Sequence, residues 1–150
     1  MTNTEFKSEL EQRTQAFAAN VLKVVQSFPV GPEFQNIRKQ VVRSATAIGA
    51  NYREANHAES RADFVHKLGI VSKEASETEY WLRLALDLDP SSTALDVVWR
   101  EADALNRLFH KIRLSCERHP NQSTSQFIAT SHGTSFEPQP VNESIHNDKS

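Results

Sequence analysis

Four sets of residues in this 150-residue chain have types and spacing that could do chemistry. Glu54-Ala55-Asn56-His57 spells Glu-x-x-His. Carboxylate di-metal bundles use two such pairs and two further glutamates, all projecting into the core. The helical part of this chain carries one pair, and no glutamate interrupts the apolar stripe of its last helix. The ligand set is incomplete, so the pair reads as a helix end running into a polar turn. Glu74 and Glu77, with Lys73, have the makings of a general acid/base pair. The structural alternative pairs Lys73 with Glu77, or lets both carboxylates accept from Arg43, Arg53 or Arg61 of the same or an adjacent subunit. Charges embedded in an apolar stripe are usually paired and can fix register. Arg38, Lys39, Arg43, Arg53 and Arg61 oppose Glu33, Glu54 and Glu59, a local excess of positive charge. Phosphate contacts need such clusters, so these five are the candidate contacts for RNA or DNA, with a solvated helix surface as the alternative. His66 and His110 lack partners at metal spacing. Cys116 lies on an apolar stripe with no histidine motif beside it and reads as packing. No catalytic residue, metal or cofactor is assigned.

The elements that must position these residues are helices. Apolar residues recur at three and four along the chain, and strand alternation is absent. The first helix is predicted from about Thr4 to Ser27, with a stripe of Phe6, Leu10, Phe17, Val21, Val24 and Phe28. Pro29-Val30-Gly31-Pro32 is a turn, and Pro32 suits the first position of a second helix reaching Ala55. Its face is Phe34, Ile37, Val41, Ala45, Ile48 and Tyr52. Gly49 there costs roughly 1 kcal/mol against alanine, which close approach of another backbone would offset. Ser60 and Asp63 form a capping pair for a third helix ending near Leu88. Its core stripe is Phe64, Leu68, Val71, Ala75, Thr78, Leu82 and Ala85. The fourth begins near Ser91–Thr93, with Thr93 and Asp96 as a capping pair, and ends near Arg118 ahead of Pro120. Its stripe is Leu95, Val98, Ala102, Leu105, Phe109, Ile112 and Cys116. Four long helices joined by short turns predict an all-α, antiparallel up-down-up-down bundle over residues 1–118. From 119 to 150 the period is lost, and a flexible, disordered polar tail is expected.

Composition narrows the function classes. Net charge is −2. Setting aside Lys149 from the 17 basic residues, and Glu137, Glu143 and Asp148 from the 19 acidic ones, leaves the bundle neutral. The chain as a whole lacks the electrostatic footprint of a nucleic-acid binder. A single cysteine forms no intrachain disulfide and fits a reducing compartment. There is no apolar signal core or membrane-length apolar run. A cytoplasmic, bacterial-type location is expected.

Arg43-Ser44-x-x-x-Ile48-Gly49-Ala50-Asn51-Tyr52-x-Glu54-Ala55 is followed by Ser60-x-x-Asp63-Phe64-x-x-Lys67-Leu68 and Lys73-Glu74-Ala75-x-Glu77-x-x-Tyr80-Trp81-Leu82. This block resembles the four-helix-bundle proteins encoded in 23S ribosomal RNA intervening sequences, and Pro29 matches a proline that usually follows their first helix. The resemblance covers roughly residues 5–118. It implies an up-down bundle and a ring-shaped homo-oligomer, a homopentamer, whose biochemical role is largely unassigned. A similar fold occurs in the accessory protein of diversity-generating retroelements, which binds nucleic acid through a basic surface; this neutral bundle departs from that pattern.

The third helix also carries a second apolar stripe, Ile70, Trp81, Leu84 and Leu88, with Glu74 and Glu77 among them. A helix in a lone bundle needs one apolar face. The expected oligomer interface is therefore Ala47, Ala50, Ile70, Glu74, Glu77, Trp81 and Leu84. The function expected is a non-enzymatic homo-oligomeric scaffold that engages a macromolecule, RNA or DNA being the candidates. The alternative is a metal-binding carboxylate helix-bundle enzyme.

Overall fold

The computed structural model describes residues 1–120, so the expected tail lies outside the described residues except at its first two positions. Among the described residues there are four α-helices and no strands: α1 (Asn3–Val24), α2 (Pro32–Asn56), α3 (Arg61–Leu88) and α4 (Thr93–Arg118). Each packs on its sequence neighbours, and α1 meets α4 to close the bundle. The short connections make neighbours antiparallel, as the up-down expectation required.

Local chemistry sets the helix ends. Thr2 and Glu5 form a reciprocal capping box on α1: the Glu5 amide donates to Thr2 Oγ1 at 3.2 Å, and the Thr2 amide to Glu5 Oε2 at 2.6 Å. These bonds, led by that from the Thr2 backbone, hold the Glu5 carboxyl below its usual range. Ser60 caps α3 by accepting from the Asp63 amide at 3.1 Å. On α4 the cap is Ser92, which accepts from the Leu95 amide, rather than the Thr93/Asp96 pair one residue later. After Val24 the chain tightens into a 3-10 turn, Val25–Ser27. Val25, four residues beyond Val21, continues the buried stripe while Val24 is half-buried, and the tighter turn then brings Phe28 onto the same face three residues on.

The core follows the predicted stripes of α2, α3 and α4 residue for residue. Phe17 and Phe109 are its largest fully buried side chains, and Tyr52 meets Phe109 edge-on at 5.3 Å. Phe28 and Phe34 pack edge-on at 5.4 Å across the α1–α2 turn. Thr14, also fully buried, faces Gly49 of α2. A Cβ added at Gly49 would stand 3.2 Å from Thr14 Oγ1, which accounts for a glycine inside α2. Between α1 and α4, Arg13 forks onto Glu101 at 2.6 and 3.0 Å. Between α3 and α4, Trp99 Nε1 donates to Glu79 at 2.9 Å while Arg83 lies over the Trp99 ring.

Candidate functional site

The α2–α3 seam gathers the polar groups that sequence reasoning singled out. At its floor are two buried hydroxyls. The Thr78 hydroxyl is 2.9 Å from Ser44 Oγ and 2.7 Å from the Glu74 carbonyl, hydrogen-bonded to both. Above them Arg43 reaches from α2 to α3. Its Nη1 lies 3.3 Å from Glu74 Oε2 and its Nη2 donates to Glu77 Oε1. That Glu77 oxygen also accepts from Trp81 Nε1 at 3.2 Å. Arg43 holds the Glu77 carboxyl below its usual range, against a smaller opposing effect of burial. The Arg43 side chain is 51% exposed, so the ion pair is worth only about 0–1 kcal/mol. Its larger consequence is geometric: one guanidinium bridges two helices and meets the carboxylate that accepts from Trp81.

The residues expected at an oligomer interface are placed as follows. Ala47, Ile70, Glu74, Glu77, Trp81 and Leu84 are half-buried within one chain, and Ala50 is exposed. Glu74, Glu77 and Trp81 meet at the seam. Ala50 instead borders a cleft of about 170 Å³ between α1 and α2, and Ile70 borders the α3–α4 groove described below. Tyr80 and Leu88, 57% and 50% exposed, extend the apolar surface beside Trp81.

The five basic candidates do not form one free patch. Arg38 Nε donates to the Val25 carbonyl at 3.1 Å, Arg43 is held in the seam, and Arg53 lies 3.6 Å from Glu11. Arg61 donates to the carbonyls of Cys116 and His119 at 3.1 and 2.8 Å, tying the start of α3 to the end of α4. Lys39 is exposed. The arginines thus act first as clamps on the bundle's own carbonyls and carboxylates.

Glu54 and His57 stay at the surface end of α2. Glu54 pairs with Lys67 at 3.3 Å, and His57 Nδ1 lies 2.8 Å from the Arg53 carbonyl. Among the described residues no three His, Cys, Asp or Glu side chains are placed to hold a metal ion. A further Glu-x-x-His, Glu143 to His146, falls outside the described residues. Cys116 is buried on the α4 stripe, and burial pushes its thiol up. No helix among the described residues is long and apolar enough to cross a membrane.

Sequence reasoning left one surface unread. His66 and His110, taken singly, carried no meaning, yet α3 and α4 bring them to the same open groove of about 630 Å³. The signal was there in part: His66 and Lys73 are seven apart on α3, and Arg107, His110 and Arg113 are three apart on α4, spacings that share a helix face. What the sequence lacked was the knowledge that those faces adjoin.

Residues 7–111 match a family model described as 23S rRNA-intervening sequence protein. Among solved structures, the chain is similar to a protein of unknown function from the S23 ribosomal protein family of Bacteroides thetaiotaomicron VPI-5482. The identity is 36% and the TM-score 0.59, over 69% of this chain and 96% of that one. A search of curated proteins finds no match.

Proposed function

The chain belongs to the 23S rRNA-intervening sequence protein family, and we propose that it serves there as a non-enzymatic, ring-shaped homo-oligomer, a pentamer, that engages a macromolecule. The observation that carries the assembly is the outer surface of α3. Trp81 and Leu84 are only partly buried against their own core, and Tyr80 and Leu88 stand open beside them. A lone bundle gains nothing from that apolar surface, whereas a second copy would bury it. In a closed ring the gain repeats at every interface. The Arg43–Glu74–Glu77 network beside Trp81 supplies a polar rim of fixed geometry. The free, buried thiol of Cys116 is consistent with a cytoplasmic setting. For the macromolecule, RNA or DNA is the proposed class, with Arg38, Lys39, Arg43, Arg53 and Arg61 as candidate contacts in a ring that multiplies a modest patch.

The test of assembly is sedimentation or light scattering at micromolar concentration, on the full chain and on Trp81→Ala. Fully burying a large apolar side chain is worth roughly 1.5–3 kcal/mol relative to exposure, and half-buried Trp81 would gain part of that at each interface. The variant should therefore shift toward smaller species while its helical circular dichroism stays near that of the parent. A monomeric parent protein would end the proposal, and unchanged assembly in the variant would assign Trp81 to the bundle alone.

A further inference from the structure

We propose that the α3–α4 groove seats the phosphodiester backbone of a single-stranded nucleic acid. The inference rests on the nucleic-acid reading above, and it assigns that contact to the opposite flank of α3 from the Arg43 seam. Three observations lead to it.

The first is charge. Lys73, Arg107 and Arg113 line the groove with His66 and His110, and no carboxylate is among its lining residues. Asp103 and Glu117 pair with Arg107 and Arg113 along α4, but both lie outside the lining. Lys73 makes no ion pair among the described residues. In a bundle whose charges sum to zero, this is a local concentration of cationic donors, with the carboxylates that pair with two of them set outside the lining, and it suits an anionic occupant.

The second is Gly69. A glycine inside a helix costs roughly 1 kcal/mol against alanine. Gly49 has its reason in Thr14, but a Cβ built on Gly69 meets nothing within 4 Å among the described residues. Gly69 lines the groove with Ser72 and Ser76, and nothing among the described residues needs the space it leaves. A bare floor between cationic walls lets an occupant's backbone approach closely.

The third is shape and lining. From His66 to Ser76 the groove follows α3 for ~15 Å, a length that suits a strand with successive phosphates better than a single anion. Ser72, Ser76 and Asn106 offer small hydrogen-bonding groups. No Phe, Tyr or Trp lines it, so base stacking is limited to the His66 and His110 imidazoles; recognition falls chiefly on the backbone and should tolerate any sequence.

The experiment uses the full-length protein and a fluorescent mixed-sequence single-stranded oligonucleotide, with binding followed as a function of salt. Each phosphate contact on a single strand contributes ~0.7 to the slope of log K against log salt. Lys73→Gln/Arg107→Gln/Arg113→Gln should lower the slope by ~2. Arg38→Gln/Lys39→Gln/Arg53→Gln should lower it by less, because those three residues do not line one common groove. Gly69→Trp keeps every charge and fills the floor; it should weaken binding by at least as much as the triple neutralisation. Gly69→Ala controls for folding. A slope that falls only with the α2 set would refute the groove and leave the nucleic-acid reading intact. Absence of binding by the parent protein would end both. Equal displacement by polyglutamate would reassign the groove to an acidic protein segment, and full affinity in a folded Gly69→Trp variant would show that the strand binds elsewhere.

Discussion

Replacing each of the two interior helix glycines by alanine should move stability in opposite directions. Helix propensity favours alanine by about 1 kcal/mol at both positions. At Gly69 nothing among the described residues opposes it, since the new methyl group meets none of their atoms within 4 Å. Gly69→Ala should therefore stabilise by about 1 kcal/mol, roughly 4 °C in melting temperature for a domain of this size. At Gly49 the methyl group would stand 3.2 Å from Thr14 Oγ1. Thr14 cannot swing away cheaply. It is fully buried, and its hydroxyl is held by the carbonyls of Leu10 and Glu11 at 2.9 and 3.0 Å. Overpacking of this kind costs about 1–3 kcal/mol. Set against the propensity gain, Gly49→Ala should come out destabilised by about 1 kcal/mol, so the two variants should differ by about 2. Urea denaturation at one protomer concentration reads both, as shifts in midpoint at constant slope. Thr14→Ala added to Gly49→Ala should recover part of the loss, because the two sites are in contact. Equal stabilisation by both alanines would refute the close approach of α1 to α2 at Gly49. Destabilisation by Gly69→Ala would show that the groove floor is already occupied by protein atoms.

Two further outcomes follow from buried polar groups in the core. Burial pushes the Tyr52 phenol up to about 12. Below about pH 10 neither the folded nor the unfolded chain ionises it, but between about 10 and 12 only the unfolded chain does; stability should fall by about 2–3 kcal/mol across that window, and Tyr52→Phe should abolish this part of the loss in alkaline urea titrations. Thr78→Val, which leaves the buried Ser44 hydroxyl without its partner across the seam, should cost about 1–2 kcal/mol, and Ser44→Ala/Thr78→Val should cost less than the two single changes summed; strict additivity in urea denaturation would show that the hydroxyls do not interact.

The bundle was legible because its information is local. The three-and-four spacing of Phe34, Ile37, Val41, Ala45, Ile48 and Tyr52 requires a buried helix face whatever lies opposite. The same holds for the stripes of α3 and α4. Misreadings fell where a local choice was nearly degenerate: Ser92 and Thr93 both carry capping hydroxyls, and Val24 and Val25 stand three and four residues beyond Val21, where either fits the helical period. Gly49 could be read as a close approach, but not as an approach to Thr14, because a lone threonine in α1 gives no sign of facing a glycine in α2.

Charge was far less legible than burial, for a physical reason. A cation's availability depends on what lies within hydrogen-bond reach, and that is set by the pairing of helices rather than by any one of them. Arg38, Arg43, Arg53 and Arg61 count as positive charge in the sequence, yet the fold gives each a carbonyl or a carboxylate of the bundle. Lys73 sits one residue from Glu74, and in the linear chain the two cancel. On α3 they part, since neighbouring residues differ by about 100° around a helix. Glu74 turns to Arg43 on α2, while Lys73 lines the groove beside α4. One helix thus sorts its own charges onto two flanks. A neutral sum over residues 1–118 is therefore compatible with one flank built for self-association and another left basic.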